Sequence, residues 1–365
     1  MLADGRRRFG WSVAGFLVLL ALLAPLALLG KFQTLEFALV WSIGVALVGL
    51  NLLIGYCGQL SLGNSAFMVV GGYTTALLAT RQGWTPLATI PVAAALSAIG
   101  GVLLGIPALK LRGLYLGLAT FALALSAPSL VRHFDSLTGG SQGIYVSGAG
   151  KDPFGLVESG QLTSEQWLYY LSLVILLLFY LLTRALLRSD VGRSLRSIRD
   201  GETVAVANGV SLRYYKTLAF AISAMLAGIA GSLNVMAISY IGPDSFDVGV
   251  ALALLVAVAI GGLGTQAGPI VGALFYVWIP YYVQGVSRAT PQLAFARPDL
   301  VYGVLLILLM YFVPQGAVGG FYRLVAYRGR LRSRAAPAAA GMHASAVTGT
   351  LKPAVLGGED ETDSR

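Results

Sequence analysis

Cysteine occurs once in this 365-residue chain, at Cys57, and histidine twice, at His133 and His343. A single thiol excludes an intrachain disulfide and any cysteine-based metal cluster, and two histidines leave little for metal ligation or acid–base chemistry. Charge is scarce too: Asp, Glu, Lys and Arg make up 11% of the residues, against about a quarter in soluble domains. Carboxylates are nearly absent from the apolar runs. Asp244 and Asp247 follow Gly242-Pro243 at a turn and Asp299 starts a run, so a buried proton relay lacks its usual parts. No G-x-x-x-x-G-K-[ST] phosphate loop occurs, so any nucleotide hydrolysis that drives this protein belongs to another polypeptide. His133 near Asp135 reads as a surface-loop pair. No catalytic residue, cofactor or metal is expected.

What is present is apolar. The hydrophobic share is 56% and the mean hydropathy +0.76, spread along the chain. A span needs about 20 apolar residues, and the runs at 11–30, 36–55, 61–80, 86–108, 113–131, 167–187, 217–240, 248–264, 268–286 and 299–316 qualify. The expected fold is therefore all-α and polytopic, with about ten transmembrane helices. Glycines and polar residues interrupt 61–80 and 248–264. The run at 11–30 is too long for a signal-peptide core and is read as a retained span.

Ten spans put both termini on one side with the loops 109–112 and 188–216. That side carries Arg6, Arg7, Arg8, Lys110, Arg112, Arg188, Arg193, Arg196, Arg199, Arg213, Lys216, Arg323, Arg328, Arg330, Arg332 and Arg334. The other carries Lys31, Arg81, Arg132, Lys151, Arg288 and Arg297. The bias makes the first side cytoplasmic. The domain reading is a basic N-terminus (1–10), a transmembrane domain (11–325) with an external loop at 133–166, and a tail at 326–365 whose composition predicts disorder. The external loop is long enough for a short helix capped by Thr163 or Ser164.

Two features suggest function. In the 188–216 loop, Leu195, Ile198, Glu202 and Ala205 share one helical side, Arg196, Arg199, Asp200 and Thr203 fall on others, and Asn208-Gly209 offers a stop. A helix beneath a membrane domain suggests coupling to a soluble partner; the alternative is a solvated basic loop that fixes topology. Glycine occurs 46 times and clusters in 55–67, 69–73 and 260–273. Dense glycine with polar residues permits broken spans that line a substrate path, which places Gln59, Ser61, Gly63, Asn64 and Ser65 near a pathway. Close helix packing is the alternative, and Gly71, Gly72, Gly261, Gly262, Gly264 and Gly268 are assigned to it.

Several stretches together resemble the permeases of branched-chain amino acid ABC transporters. They are GQLSLGNSAFMVVGGYTTALL (58–78), LRGLYLGLATFALAL (111–125) with DSLTGGSQGI (135–144), and IGGLGTQAGPIVGA (260–273). The segment bearing Arg193, Arg196, Arg199, Glu202, Ala205, Ala207 and Gly209 is similar to the family's ATPase-contacting loop. It departs from the general importer motif, because Thr203 and Val204 follow Glu202 where two alanines are usual. The resemblance implies a second permease, two cytoplasmic ATPases, an extracytoplasmic binding protein that delivers the amino acid, and a bacterial inner-membrane location. The N-terminal span and long external loop resemble the larger permease type. Other readings are a permease for urea or short amides, an ion-coupled secondary transporter, and a lipid-acting membrane enzyme.

Overall fold

The computed structural model describes residues 30–289, except 110, 112, 147, 149, 151–155 and 161, together with residue 304. The expected spans 11–30 and 299–316 (residues 30 and 304 aside), the basic N-terminus and the tail lie outside the described residues.

Apolar sequence in lipid must satisfy its backbone internally, and helices dominate accordingly. Helix α1 (Lys31–Leu50) continues directly into a π-helical turn, Asn51–Tyr56. There follow α2 (Asn64–Gln82), α3 (Pro86–Ala108), α4 (Leu114–His133), α5 (Asp135–Thr138), strand β1 (Ile144–Tyr145) and α6 (Ser164–Arg188). Two short helices, α7 (Asp190–Asp200) and α8 (Glu202–Ala207), precede α9 (Leu212–Ile238), β2 (Tyr240–Ile241), α10 (Val248–Gly261) and α11 (Gly268–Ala289).

Among the described residues five helices are long and apolar enough to cross a membrane: Lys31–Tyr56, Pro86–Pro107, Leu114–His133, Ser164–Arg188 and Leu212–Ile238. Val248–Gly261 and Gly268–Pro280 are apolar but shorter. The expected runs at 61–80 and 248–264 are both truncated. Residues 57–63 break before α2, and α10 stops at Gly261, where Gly262 takes φ 112°.

Helix α9 is the hub, packing on α1, α2 and α3. Small residues let it approach at backbone range. A Cβ on Gly71 would collide with the Gly228 carbonyl, one on Gly231 with the Met68 carbonyl, and one on Gly228 with the Ser97 hydroxyl. Ser232 Oγ donates to Gly71 O at 3.2 Å and to Gly228 O at 3.1 Å, bridging both helices. Ser42 Oγ on α1 donates to Ala230 O at 2.8 Å. Aromatic contacts join α1 to α6 and α11: Phe37 lies 5.6 Å from Trp278 and Trp41 lies 6.1 Å from Tyr169 between ring centroids.

One end of the bundle carries a departure from a purely helical fold: β1 and β2 pair antiparallel, Ile144 opposite Ile241 and Tyr145 opposite Tyr240. Two residues per strand leave no periodicity to read in sequence. The Thr163 cap belongs to the span and not to a helix within the loop. Thr163 Oγ1 accepts from Gln166 N at 3.3 Å and Gln166 Oε1 from Thr163 N at 3.0 Å, a capping box that starts α6. At this end Arg132 pairs with Asp244 at 2.6 Å, Asp247 caps α10, and Arg81 donates to Leu137 O at 2.9 Å.

Substituting Gly231 or Gly71 by valine inserts atoms where backbone stands. A loss of about 1–3 kcal/mol or more is expected, read as a lower melting temperature in detergent. Gly30→Ala, which meets nothing within 4 Å, leaves the transition in place.

Candidate functional site

At the other end of the bundle, α7 and α8 form an amphipathic pair. Gly192, Leu195 and Ile198 on α7 and Ala205 on α8 are buried. They pack with Leu52, Leu53, Tyr56, Cys57, Leu116, Leu187, Ala219 and Phe220 in a core of their own. The outer side is a concavity lined by Arg193, Arg196, Ser197, Asp200, Gly201 and Val204. Val204 stands 64% exposed there, an apolar display on a cationic surface, and Val206 is 54% exposed on another side of α8. Ala207 is exposed, and Gly209 turns the chain at φ 79°.

Several charged residues of this pair are partnered within the chain. Arg193 pairs with Asp190 on its own helix. Arg196 Nη2 donates to Leu187 O at the end of α6. Glu202 accepts from Lys216 Nζ at 2.6 Å, with the Lys216 side chain 4% exposed and that of Glu202 29%. The sequence reading treats Glu202 as a docking residue; the structure turns it inward, where it neutralises a buried ammonium.

The break before α2 is buried. Gln59, Ser61, Asn64 and Ser65 are 7%, 1%, 3% and 0% exposed, and Gly63 caps α2. Ser61 Oγ accepts from Gly63 N at 3.3 Å, and Leu62 N donates to Thr120 Oγ1 of α4 at 3.0 Å. Thr120 thus supplies one acceptor that a broken helix lacks. Asn64 Oδ1 accepts from Ser223 Oγ of α9 at 3.3 Å. Asn64 Nδ2 and Ser65 Oγ are buried without a hydrogen-bond partner among the described residues.

The turn between α10 and α11 completes the site. Thr265 Oγ1 donates to Gly262 O at 2.7 Å and accepts from Gly268 N at 3.1 Å. Asn51 in the π-turn holds this turn with both ends of its amide: Nδ2 donates to Thr265 O and Oδ1 accepts from Gly264 N, each at 2.8 Å. Arg199 Nη1 of α7 donates to Gly55 O at 2.6 Å. Gly55 and Gly264 come so close that a Cβ on Gly55 would collide with Gly264 N.

The sequence-predicted residues therefore divide. Arg199, Gly264 and the break beginning at Gly58 converge. Gly71 and Gly72 lie within the α2–α9 contact region, Gly72 facing Val235, Ile241 and Phe246. Gly261 and Gly268 close the α10–α11 turn on each other, with Gly262 between them. Gly55, Asn51, Thr120 and Lys216 were not assigned from sequence. Asn51 carried a usable signal, as the lone amide side chain inside an apolar run; Gly55 did not, because its value lies in a contact 209 positions away with Gly264.

Apolar spans with buried breaks, and a basic amphipathic pair packed against them, define the class: a multi-pass helical membrane protein with interrupted spans. The family model described as "Branched-chain amino acid transport system / permease component" matches residues 34–314. This chain belongs to that family. It is 32% identical over 332 residues to the high-affinity branched-chain amino acid transport system permease protein LivM of Escherichia coli (strain K12), covering 84% of this chain and 76% of that one. LivM of Salmonella typhimurium is 32% identical over 74% of this chain and 66% of the relative. The probable branched-chain amino acid transport permease protein LivH of Methanocaldococcus jannaschii is 25% identical over 80% of this chain and 93% of the relative. No solved structure matches the chain.

Two predictions follow from this geometry. Glu202→Ala strands the Lys216 ammonium in a 4%-exposed position and costs on the order of 3 kcal/mol. Lys216→Met costs less, because the partly exposed Glu202 side chain can hydrate; equal losses of melting temperature would contradict the asymmetry. Burial pushes the Cys57 thiol up to about 12, so almost no thiolate exists at pH 8. Maleimide added to native membranes then leaves Cys57 unmodified and labels it only after denaturation.

Proposed function

We propose that this chain is the larger of two permease subunits of a bacterial inner-membrane ABC importer for branched-chain or similar hydrophobic amino acids. One observation carries the reading: α7–α8 has an inner face built into the bundle and an outer concavity where Arg193 and Arg196 stand beside exposed Val204. Such a surface suits a soluble partner with an acidic-rimmed apolar groove, here two cytoplasmic ATPases. Both termini then lie in the cytoplasm, and counting the runs that the sequence offers at 11–30 and 299–316 makes ten spans. A second, related permease forms the other half of the passage, and an extracytoplasmic binding protein delivers the substrate to the end carrying β1–β2. The relatives' printed names support the amino-acid substrate.

In this mechanism ATP binding draws the paired ATPases together and moves α7–α8 as a lever. Spans joined to it reorient, and the pathway opens alternately to either side. Gln59, Ser61, Gly63, Asn64 and Ser65 border that pathway; Asn64 Nδ2 and the Ser65 hydroxyl, unpartnered among the described residues, are polar groups that water or substrate can satisfy.

The test is affinity purification of the chain from its native membrane in mild detergent, then reconstitution with the recovered partners and uptake of radiolabelled leucine or urea. Recovery of a second permease and a Walker-A ATPase, with ATP-dependent leucine uptake, is the expected result. Val204→Glu should reduce ATPase recovery by about tenfold. Urea uptake instead of leucine would change the substrate, and recovery of the chain alone would overturn the importer reading.

A further inference from the structure

The lever needs something to pull. Helix α7 meets the π-turn in two ways: Leu195 and Ile198 share a core with Leu52, Leu53 and Tyr56, and Arg199 adds a directional polar contact. Its guanidinium donates to Gly55 O at 2.6 Å, a carbonyl in the π-turn where α1 ends. Helix C-termini present carbonyls without helical partners and a negative dipole end, so an arginine there is a charge-assisted cap. Arg199 also reaches the second broken element. A Cβ built on Gly264 would stand 2.9 Å from Arg199 Nη1 and 3.0 Å from Gly55 O, and one on Gly58 3.2 Å from the Arg199 Cα. Gly58 and Gly264 adopt φ of 73° and 72°, the left-handed region in which other residues are strained. Asn51 closes the triangle by gripping Gly264 N and Thr265 O. A π-helical turn is a weak place in a span, readily converted to α geometry, and such turns concentrate at functional sites.

We propose that Arg199 and Asn51 are positioning residues of a three-way junction that transmits movement of α7 simultaneously to the break at 57–63 and the turn at 262–267. The proposal rests on the importer reading for its biological consequence but not for its geometry. Arg199 ties α7 to the π-turn, and Asn51 ties the π-turn to the 262–267 turn. A displacement of α7 therefore cannot shift one broken element without the other. The other arginines of α7 lack this reach: Arg193 pairs within its helix, and Arg196 caps α6. A purely structural role would require only that α7 stay packed, which Leu195 and Ile198 already ensure at 1% and 2% exposure.

Two measurements separate the possibilities. Hydrogen exchange on the chain in nanodiscs reads the junction directly. Arg199→Ala should speed exchange roughly tenfold or more in both 57–63 and 262–267, Asn51→Leu chiefly at Gly264, and Arg193→Ala in neither. Unchanged exchange at 262–267 in Arg199→Ala would overturn the junction. In the reconstituted importer, Arg199→Ala should keep ATPase recovery and ATP turnover while leucine uptake per ATP hydrolysed falls roughly tenfold; Arg199→Lys, which retains a cationic donor, restores part of it. Unchanged uptake per ATP would overturn the transmission role, as would loss of ATPase recovery, which would make Arg199 a docking residue. If the wild-type chain recovers no ATPase, the importer reading fails on its own, and the exchange data still decide the junction.

Discussion

Backbone-to-backbone approach of α2 and α9 is the constraint on which the bundle depends. Between lipid-embedded helices there is no hydrophobic driving force to gather them, so association rests on packing and hydrogen bonds at short range. Gly71, Gly228 and Gly231 remove the side chains that would hold the helices apart, and Ser232 uses the resulting proximity to bond carbonyls on both. Because α9 also packs on α1 and α3, this contact fixes where the break before α2 sits. Asn64 can reach Ser223 only because α2 and α9 are this close.

A second rule governs the opposite part of the molecule: helix ends within a membrane protein need partners. The ends of α6 and of the π-turn receive theirs from Arg196 and Arg199 of α7. The break before α2 receives one from Thr120, and the turn after α10 receives two from Asn51. The same bonds that satisfy these orphan groups join the basic segment to the interrupted spans. Satisfying polar groups and mechanically linking elements are here a single arrangement, which is why the basic segment is held more firmly than a solvated loop.

Much of the architecture was legible because it is written at short range. The stretch 217–240 is apolar over the length of a span, and the spacing put Leu195, Ile198, Glu202 and Ala205 on one helical side, of which Leu195, Ile198 and Ala205 are buried. Interruptions were suggested within 55–67 and 260–273 by glycine mixed with Ser, Gln, Asn and Thr, and the structure puts the breaks at 57–63 and 262–267. Charge partnering was not legible. Glu202 reads as one more residue of a docking surface until Lys216, fourteen positions on, is seen folded back against it. The β1–β2 ribbon was invisible for a related reason, since Ile144 meets Ile241 across the whole of α6 to α9.

The sequence by itself determined that this is a multi-pass helical membrane protein of the branched-chain amino acid permease family, with a basic amphipathic segment between apolar spans. Hydropathy, helical periodicity and glycine clustering are properties of neighbouring residues, and they survive in a linear reading. Only the tertiary structure decided that Asn51, Gly55, Arg199 and Gly264 meet at one point, and that Arg196 and Arg199 of α7 turn back onto helix ends. Those contacts are set by where the chain crosses itself, and each depends on a carbonyl or amide left free at a particular break, which no local pattern of side chains records.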